Sequence, residues 1–317
     1  IPVAEAAGIT EDEAIERTQQ LVEARIIRQV STIFDTRSLG YKSMLVAAEV
    51  DANAPHRAAT VVNKHPGVSH NYLRNHDLNL WFTIAVSPDS KIGLDRTLEL
   101  LAEEAGFKRY RELPTLTLFK INMNLQMTGG TDELKAKQDV APARELSAKD
   151  LSAEDKRLIW TLQGKLPVQA EPFAEVASEM GLSQEELLQR CEDMRERGIL
   201  RRTAAILNHR RAGFSANGMG VWAVPEDQIA EIGPRMAAYR GISHCYQRPT
   251  YADWPYSVFT MAHGRSKDEC DAILDQIAAD TQIEEYTTLY SSTEYKKVRL
   301  TYYSPEFDAW EAERLEA

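Results

Sequence analysis

Residues 67–74 read GVSHNYLR, and residues 241–248 read GISHCYQR. A strand carrying Ser-His-x-Tyr-x-Arg is unusual, because sheet interiors are built mainly from apolar side chains. Extended outward, the stretches become HPGVSHNYLR (65–74) and YRGISHCYQR (239–248), which set His244 174 residues after His70. Toward the N-terminus, VAEAAGITEDEAIERTQQLVEARIIRQ (3–29) aligns with VASEMGLSQEELLQRCEDMRERGILRR (176–202), at an offset of 173 (Val176 against Val3). Toward the C-terminus, LFKI (118–121) meets EYKK (294–297). Solenoid repeats run to about 20–50 residues. A period this long means two copies of a whole domain.

Each copy divides in two. In the second, Ser152 is placed to cap a helix with Glu154 and Asp155 in its first turn, and Leu158, Ile159 and Leu162 recur at helical spacing. A second helix near 173–180 ends at Gly181. Ser183 caps a third, with Glu186 at capping-box spacing and Leu187, Leu188, Cys191 and Met194 on one face. A basic strand follows, so 151–212 reads as a winged helix-turn-helix. Its counterpart, 1–40, opens at the second helix of this pattern. The chain starts at Ile1 rather than Met, so upstream residues are expected.

The remainder of each copy, 41–127 and 213–304, reads β-α-β-β-α-β. In the first these are SMLVAAEVD (43–51), a helix over 55–64, the hairpin GVSHNYLRN (67–75) and LWFTIAVS (80–87), the amphipathic helix GLDRTLELLAEEAG (93–106) and a last strand, TLTLFKINMNL (115–125). This is the ferredoxin-like order, an α+β fold with helices on one sheet face. The open face needs a partner. Two fused copies can supply it to each other as an internal pseudo-dimer, alone or within a homo-oligomer. Residues 128–150 are polar, carry a Gly pair and read as a linker. Residues 305–317 read as an acidic, solvated helical tail.

The chain has 317 residues, 43% hydrophobic, and a formal charge of −11 from 37 basic and 48 acidic groups. Phosphate backbones therefore meet no general attraction. Three cysteines without a Cys-x-x-Cys pair suit a reducing cytoplasm and exclude a disulfide framework or a structural zinc site. No apolar run approaches the length of a membrane span.

Side chains alternate along a strand. That rule puts Val68, His70, Tyr72 and Arg74 on one face, and Ile242, His244, Tyr246 and Arg248 on another. A proton-transfer group, an aromatic hydroxyl and a guanidinium in a row suit a large planar ligand bearing carboxylates. A single strand histidine is more often structural than catalytic; the duplication is what singles this one out. His76 shares the face of His70 if the strand continues, and leaves it if a hairpin bends between them. Lys120 and Lys296 hold matching places on the last strands, with Arg299 nearby; solvated strand edges are the ordinary place for such groups. His56 and His65 flank a helix, His209 sits in a turn after the wing, and His263 ends a strand. No histidine pair has metal-binding spacing.

A helix-turn-helix invites a role in transcription. The third helix of the second copy, however, carries Glu185, Glu186, Glu192, Asp193 and Glu196 against Arg190, Arg195 and Arg197. Its counterpart carries Glu11, Asp12, Glu13, Glu16 and Glu23. Such helices repel DNA, and they read as scaffold.

A winged helix joined to a ferredoxin-like module resembles the Lrp/AsnC regulators. More narrowly, HPGVSHNYLRNHDLNLWFTI (65–84), LPTLTLFKI (113–121), GVWAVPED (220–227) and GISHCYQRPTYADWPYSVFTM (241–261) resemble the siroheme decarboxylases, in the fused NirD–NirL form. The resemblance implies a lyase that converts the C12 and C18 acetates of siroheme to methyls, releasing carbon dioxide and 12,18-didecarboxysiroheme for haem d1 or an alternative haem route. It implies no separate cofactor, since the iron belongs to the substrate. It implies His70 and His244 for proton transfer, Arg74 and Arg248 for carboxylates, and Tyr72 and Tyr246 for the macrocycle. His76, Lys120 and Lys296 are further candidates for substrate contact. The residues leave open whether each copy holds a pocket or both histidines serve one, and whether a histidine ligates the iron. A DNA-binding regulator and a tetrapyrrole carrier without chemistry are the competing readings.

Overall fold

The computed structural model describes residues 2–121, 151–207 and 216–316. The first copy runs α1 (Pro2–Ala7), α2 (Glu11–Glu23), β1 (Ile27–Phe34), β2 (Lys42–Glu49), α3 (Pro55–Lys64), β3 (Val68–Arg74), β4 (Leu80–Val86), α4 (Leu94–Ala105), β5 (Arg109–Leu113) and β6 (Thr117–Ile121). The second runs α5 (Ala153–Leu162), α6 (Ala174–Met180), α7 (Gln184–Glu196), β7 (Leu200–Leu207), β8 (Ala216–Trp222), α8 (Ile229–Ala238), β9 (Ile242–Gln247), β10 (Val258–Gly264), α9 (Lys267–Thr281), β11 (Tyr286–Lys297) and α10 (Pro305–Leu315). The expected linker, His209 and the end of the expected 115–125 strand lie outside the described residues.

Local chemistry sets the helices. Ser152 and Ser183 close capping boxes with Asp155 and Glu186. Gly181 ends α6 at φ 69°, where only glycine is unstrained. Leu158, Ile159, Leu162, Leu187 and Met194 then bury together as the winged-helix core. The strands that follow the helices are used on each other. β1 and β7 pair antiparallel with each other, and Arg299 donates to the Ser31 hydroxyl and the Thr32 carbonyl beneath them.

Each ferredoxin-like sheet has the order β5-β2-β4-β3 or β11-β8-β10-β9. Helices α3 and α4 cover one face of the first around Val46, Phe82 and Leu98, and α8 and α9 cover the second around Trp222, Ile232 and Leu274. The two open faces meet. Trp81 and Leu113 of the first copy bury with Met219, Trp254, Phe259 and Leu289 of the second, which is the internal pseudo-dimer.

The last strands are exchanged, which alternation does not reveal. Residues 115–125 were expected to complete the first copy's own sheet. That edge is instead closed by β5, on β2, and β6 crosses to pair with β9 of the second copy. Pro114, which has no N–H to give a ladder, separates the two. β11 does both jobs unbroken: Tyr286–Tyr290 pair with β8 and Ser291–Lys297 with β3.

The C-terminal segment is not a solvated tail. α10 buries Phe307, Trp310 and Glu311, with Trp310 in the core of the first copy. Glu311 accepts from the Lys91 amide (2.9 Å) and the Ser90 hydroxyl, and Arg314 pairs with Glu104 at 2.8 Å. Under α10 lies His65, 2% exposed, with its ring 4.5 Å from that of Trp310 and its Nδ1 accepting from the Gly67 amide. Burial, with lesser help from Lys296 and Arg314, holds its pKa down to about 3. The native state thus favours neutral His65. Its contribution is full above pH 6.5 and is lost as pH falls toward 3, by up to about 1.4 kcal/mol per pH unit. Urea midpoints measured between pH 7 and pH 4 should fall on the acid side, and His65→Gln should flatten that slope.

Candidate active site

Strand β3 carries its polar row toward the second sheet. The row does not include Val68. A β-bulge lies between Val68 and His70, where Val68 pairs with Ile84 but His70 pairs with Thr83. The extra residue shifts the alternation by one. Val68 and Asn71 therefore point to the helices, Asn71 donating to the Asn63 side chain of α3, while His70, Tyr72 and Arg74 point the other way. β9 repeats the device: Met261 pairs with His244 but Ala262 with Ile242. Ile242 and Cys245 join the helix-side core, leaving His244, Tyr246 and Arg248 on the sheet-to-sheet face.

The bulge brings each serine to its neighbouring histidine. Ser69 Oγ lies 3.0 Å from His70 Nδ1 and 2.8 Å from Thr83 Oγ1. Ser243 Oγ lies 2.7 Å from His244 Nδ1 and 2.7 Å from Nε2 of His263. With Nδ1 engaged, Nε2 is the atom each ring has for a ligand. Sequence reading passed over the serines, although both copies write Ser-His, and set His263 aside. Alternation from Phe259 through Met261 would have placed His263 on the same face.

Burial dominates the electrostatics. It lowers the pKa of both site histidines, and that of His244 falls to about 4 with added repulsion from His263, His70 and Lys120. His70 is near enough to act on His244, so the two rows share one electrostatic environment. Arg74 and Arg248 are each 9% exposed, and burial brings their pKa down to about 10. Arg74 donates to the Leu289 carbonyl at 2.7 Å, and Arg248 to the Leu113 carbonyl. Each guanidinium therefore bonds the other copy where its last strand changes sheets. Each also lies against aromatic rings, Arg74 at 5.7 Å from Tyr72 and Arg248 at 5.0 Å from Tyr246. Among the described residues neither has a carboxylate partner, and the Nε of each is buried without an acceptor. Two buried cations lacking counter-ions on one face are chemically suited to anions.

Three further candidates stand elsewhere. Lys120 donates to the Tyr239 carbonyl and Lys296 to the Asn63 and His65 carbonyls, at the C-terminal ends of α8 and α3. Bulges at Phe119 and Tyr295 in the exchanged strands turn both lysines to the helical side. They cap helices, a favourable place for a cation, and do not line the histidine face. His76 sits in the β3–β4 turn, accepting from the Leu78 amide, its ring 5.3 Å from that of Trp254. The bend, not the continued strand, is what occurs.

The rows differ in their flanks. Beside His70 and Tyr72 the paired residues are Lys297 and Glu294; beside His244 and Tyr246 they are Ile121 and Leu118. The second hairpin is also longer. Its Asp253 clasps Arg109 and Arg111 of the first copy, and the Tyr251 hydroxyl donates to the Glu112 carbonyl. A cleft of about 450 Å³ between α5 and the β11–α10 connection is lined by Trp160, Gln163 and Arg299 but by none of these residues. No cluster of three or more metal-ligating side chains occurs among the described residues.

Residues 38–120 and 211–296 match the family model of the AsnC-like ligand-binding domain, and residues 155–201 that of the siroheme decarboxylase NirDL-like helix-turn-helix domain. The chain is 40% identical over 315 residues to the siroheme decarboxylase of Hydrogenobacter thermophilus, spanning 99% of this chain and 92% of that protein. The chain belongs to the siroheme decarboxylase family. Its halves also resemble separate family subunits: the siroheme decarboxylase beta subunit of Methanosarcina barkeri is 40% identical over 45% of this chain and 94% of its own length. A solved structure of the siroheme decarboxylase NirDL in co-complex with an iron-uroporphyrin III analogue superposes with a TM-score of 0.80, at 36% identity over 99% of this chain and 92% of that one. The family thus includes both fused and separate forms of the repeat seen here. No described helix is long and apolar enough to cross a membrane.

An uncompensated buried cation costs stability. Arg74→Met and Arg248→Met should therefore leave the urea midpoint unchanged or raise it, even though each removes a hydrogen bond across the sheet boundary.

Proposed function

We propose that this chain decarboxylates siroheme, turning its C12 and C18 acetates into methyls and releasing two molecules of carbon dioxide. The product, 12,18-didecarboxysiroheme, would feed haem d1 or an alternative haem synthesis. The observation that carries the reading is the pair of buried arginines without counter-ions, each in one strand row with a histidine whose pKa burial lowers. Siroheme brings eight carboxylates and a flat, apolar ring. Arg74 and Arg248 bind carboxylates that do not react, and Tyr72 and Tyr246 orient the macrocycle against the sheet. The iron enters as part of this substrate, and no further cofactor is invoked.

Loss of carbon dioxide leaves an electron pair on the former acetate carbon, in conjugation with the pyrrole. A proton must reach that carbon. Nε2 of His70 and of His244 are the donors we assign. Substrate carboxylates near the rings raise the lowered histidine pKa values, so the proton to be donated is drawn to the site by the act of binding. The reaction consumes protons, and the site supplies them only when the substrate is present.

DNA is not the ligand we favour. The arginines of α7 are engaged by Glu154, Glu192, Asp193 and Asp155, and the wings pair with each other. A chain of net charge −11 then offers phosphates little.

Anaerobic incubation with iron-loaded siroheme, followed by mass spectrometry, should show loss of two carbon dioxide masses. His70→Ala and His244→Ala should each lower the rate about 10²–10⁴-fold while siroheme still binds. Arg74→Met and Arg248→Met should instead weaken siroheme binding by about 2 kcal/mol or more each. An unchanged siroheme mass with a shifted Soret band would make the protein a carrier.

A further inference from the structure

The copies match closely in fold but not behind the histidines. Ser69 in the first copy is backed by Thr83, a hydroxyl without useful acid–base chemistry near neutral pH. Ser243 in the second is backed by a second imidazole, with 2.7 Å from Ser243 Oγ to each ring. A hydroxyl has one proton to donate and two lone pairs to accept with, so it can bond both rings at once. His263 is half-buried near the end of β10, and beyond the buried Gly264 residues 265–269 are all exposed. His244 itself lies on the covered sheet-to-sheet face, its strand flanked by Leu118 and Ile121.

We propose that His263 and Ser243 form a proton relay to His244, so that the second copy is resupplied from solvent while its substrate remains bound. The inference rests on the decarboxylase reading. In each event the bond between the methylene and carboxylate carbons breaks, carbon dioxide departs, and the electron pair stays on the methylene carbon. His244 gives its Nε2 proton to that carbon. His244 enters this step with its single ring proton on Nε2 and with Nδ1 accepting from Ser243; as that proton leaves, the Ser243 hydroxyl proton passes to Nδ1, and the Nε2 proton of a charged His263 passes to Ser243 Oγ. His263 is left neutral and recovers one proton from water, so one proton is consumed per carbon dioxide. The first copy, ending at Thr83, has no such reservoir. His263 acts through His244 and is a positioning and supply residue, not a catalytic one.

The test compares His263→Ala and His263→Gln with the unaltered chain in anaerobic single turnover of siroheme, quenched over time and read by mass. Siroheme affinity, followed by visible titration, should not change in either variant. One of the two carbon dioxide losses should slow about tenfold or more in both, so that a singly decarboxylated species accumulates. Added imidazole should restore that step in the Ala variant. A merely structural role predicts otherwise, because Gln keeps a hydrogen-bonding group beside Ser243 and would behave like the unaltered chain. Wild-type rates for both losses in His263→Gln would overturn the relay. Failure of the unaltered chain to release carbon dioxide would instead overturn the decarboxylase reading and the relay with it.

Discussion

The reciprocal exchange of last strands is the constraint on which the rest depends. β6 leaves its own copy for β9, and the second half of β11 leaves for β3. Both histidine strands, which would otherwise be sheet edges, thereby become interior strands. Edges with free N–H and C=O groups are soft and prone to wrong pairing. An interior strand holds its register. That register is what keeps two bulges in place and turns each Ser-His pair toward the facing sheet. The same crossing supplies the Leu113 and Leu289 carbonyls that hold Arg248 and Arg74. Each half-site is therefore finished by the other copy.

The arginines show how function sets the charge of the interior. A core chosen for stability alone would not bury two guanidinium groups without carboxylates. Here aromatic faces and single carbonyl bonds keep them ordered, and burial keeps competing water away. Giving up stability in this way is a common trade at functional sites. His65 makes the contrast. It is more buried than the site histidines and is held neutral, but it is packed under Trp310 and bonded to Gly67, and it serves to seat α10.

The winged helices have been absorbed into the scaffold. Their wings are spent on each other, and α7 matches its arginines with its own and neighbouring acids. α10 then straps the second copy to the first through Trp310, Glu311 and Arg314. These contacts hold the two sheets at one spacing. The AsnC-like domains thereby hold the two polar rows between the copies.

The sequence alone determined the duplication, the α+β order and the identity of the polar rows, because hydrophobic period and repetition are local properties. His70, Tyr72 and Arg74 share a face because they stand two apart on one strand, and the rule of alternation needs nothing else. It failed at Val68 and Ile242, because a bulge adds a residue without marking it in the sequence. Lys120 and Lys296 were candidates by their matching places on the last strands, and bulges at Phe119 and Tyr295 turn them to the helical side. The strand exchange, the docking of α10 and the Ser243–His263 contact were decided by tertiary structure. Each joins residues far apart in the chain, or turns on which sheet edge lies free, and backbone hydrogen bonding carries no residue-specific label by which a strand announces its partner.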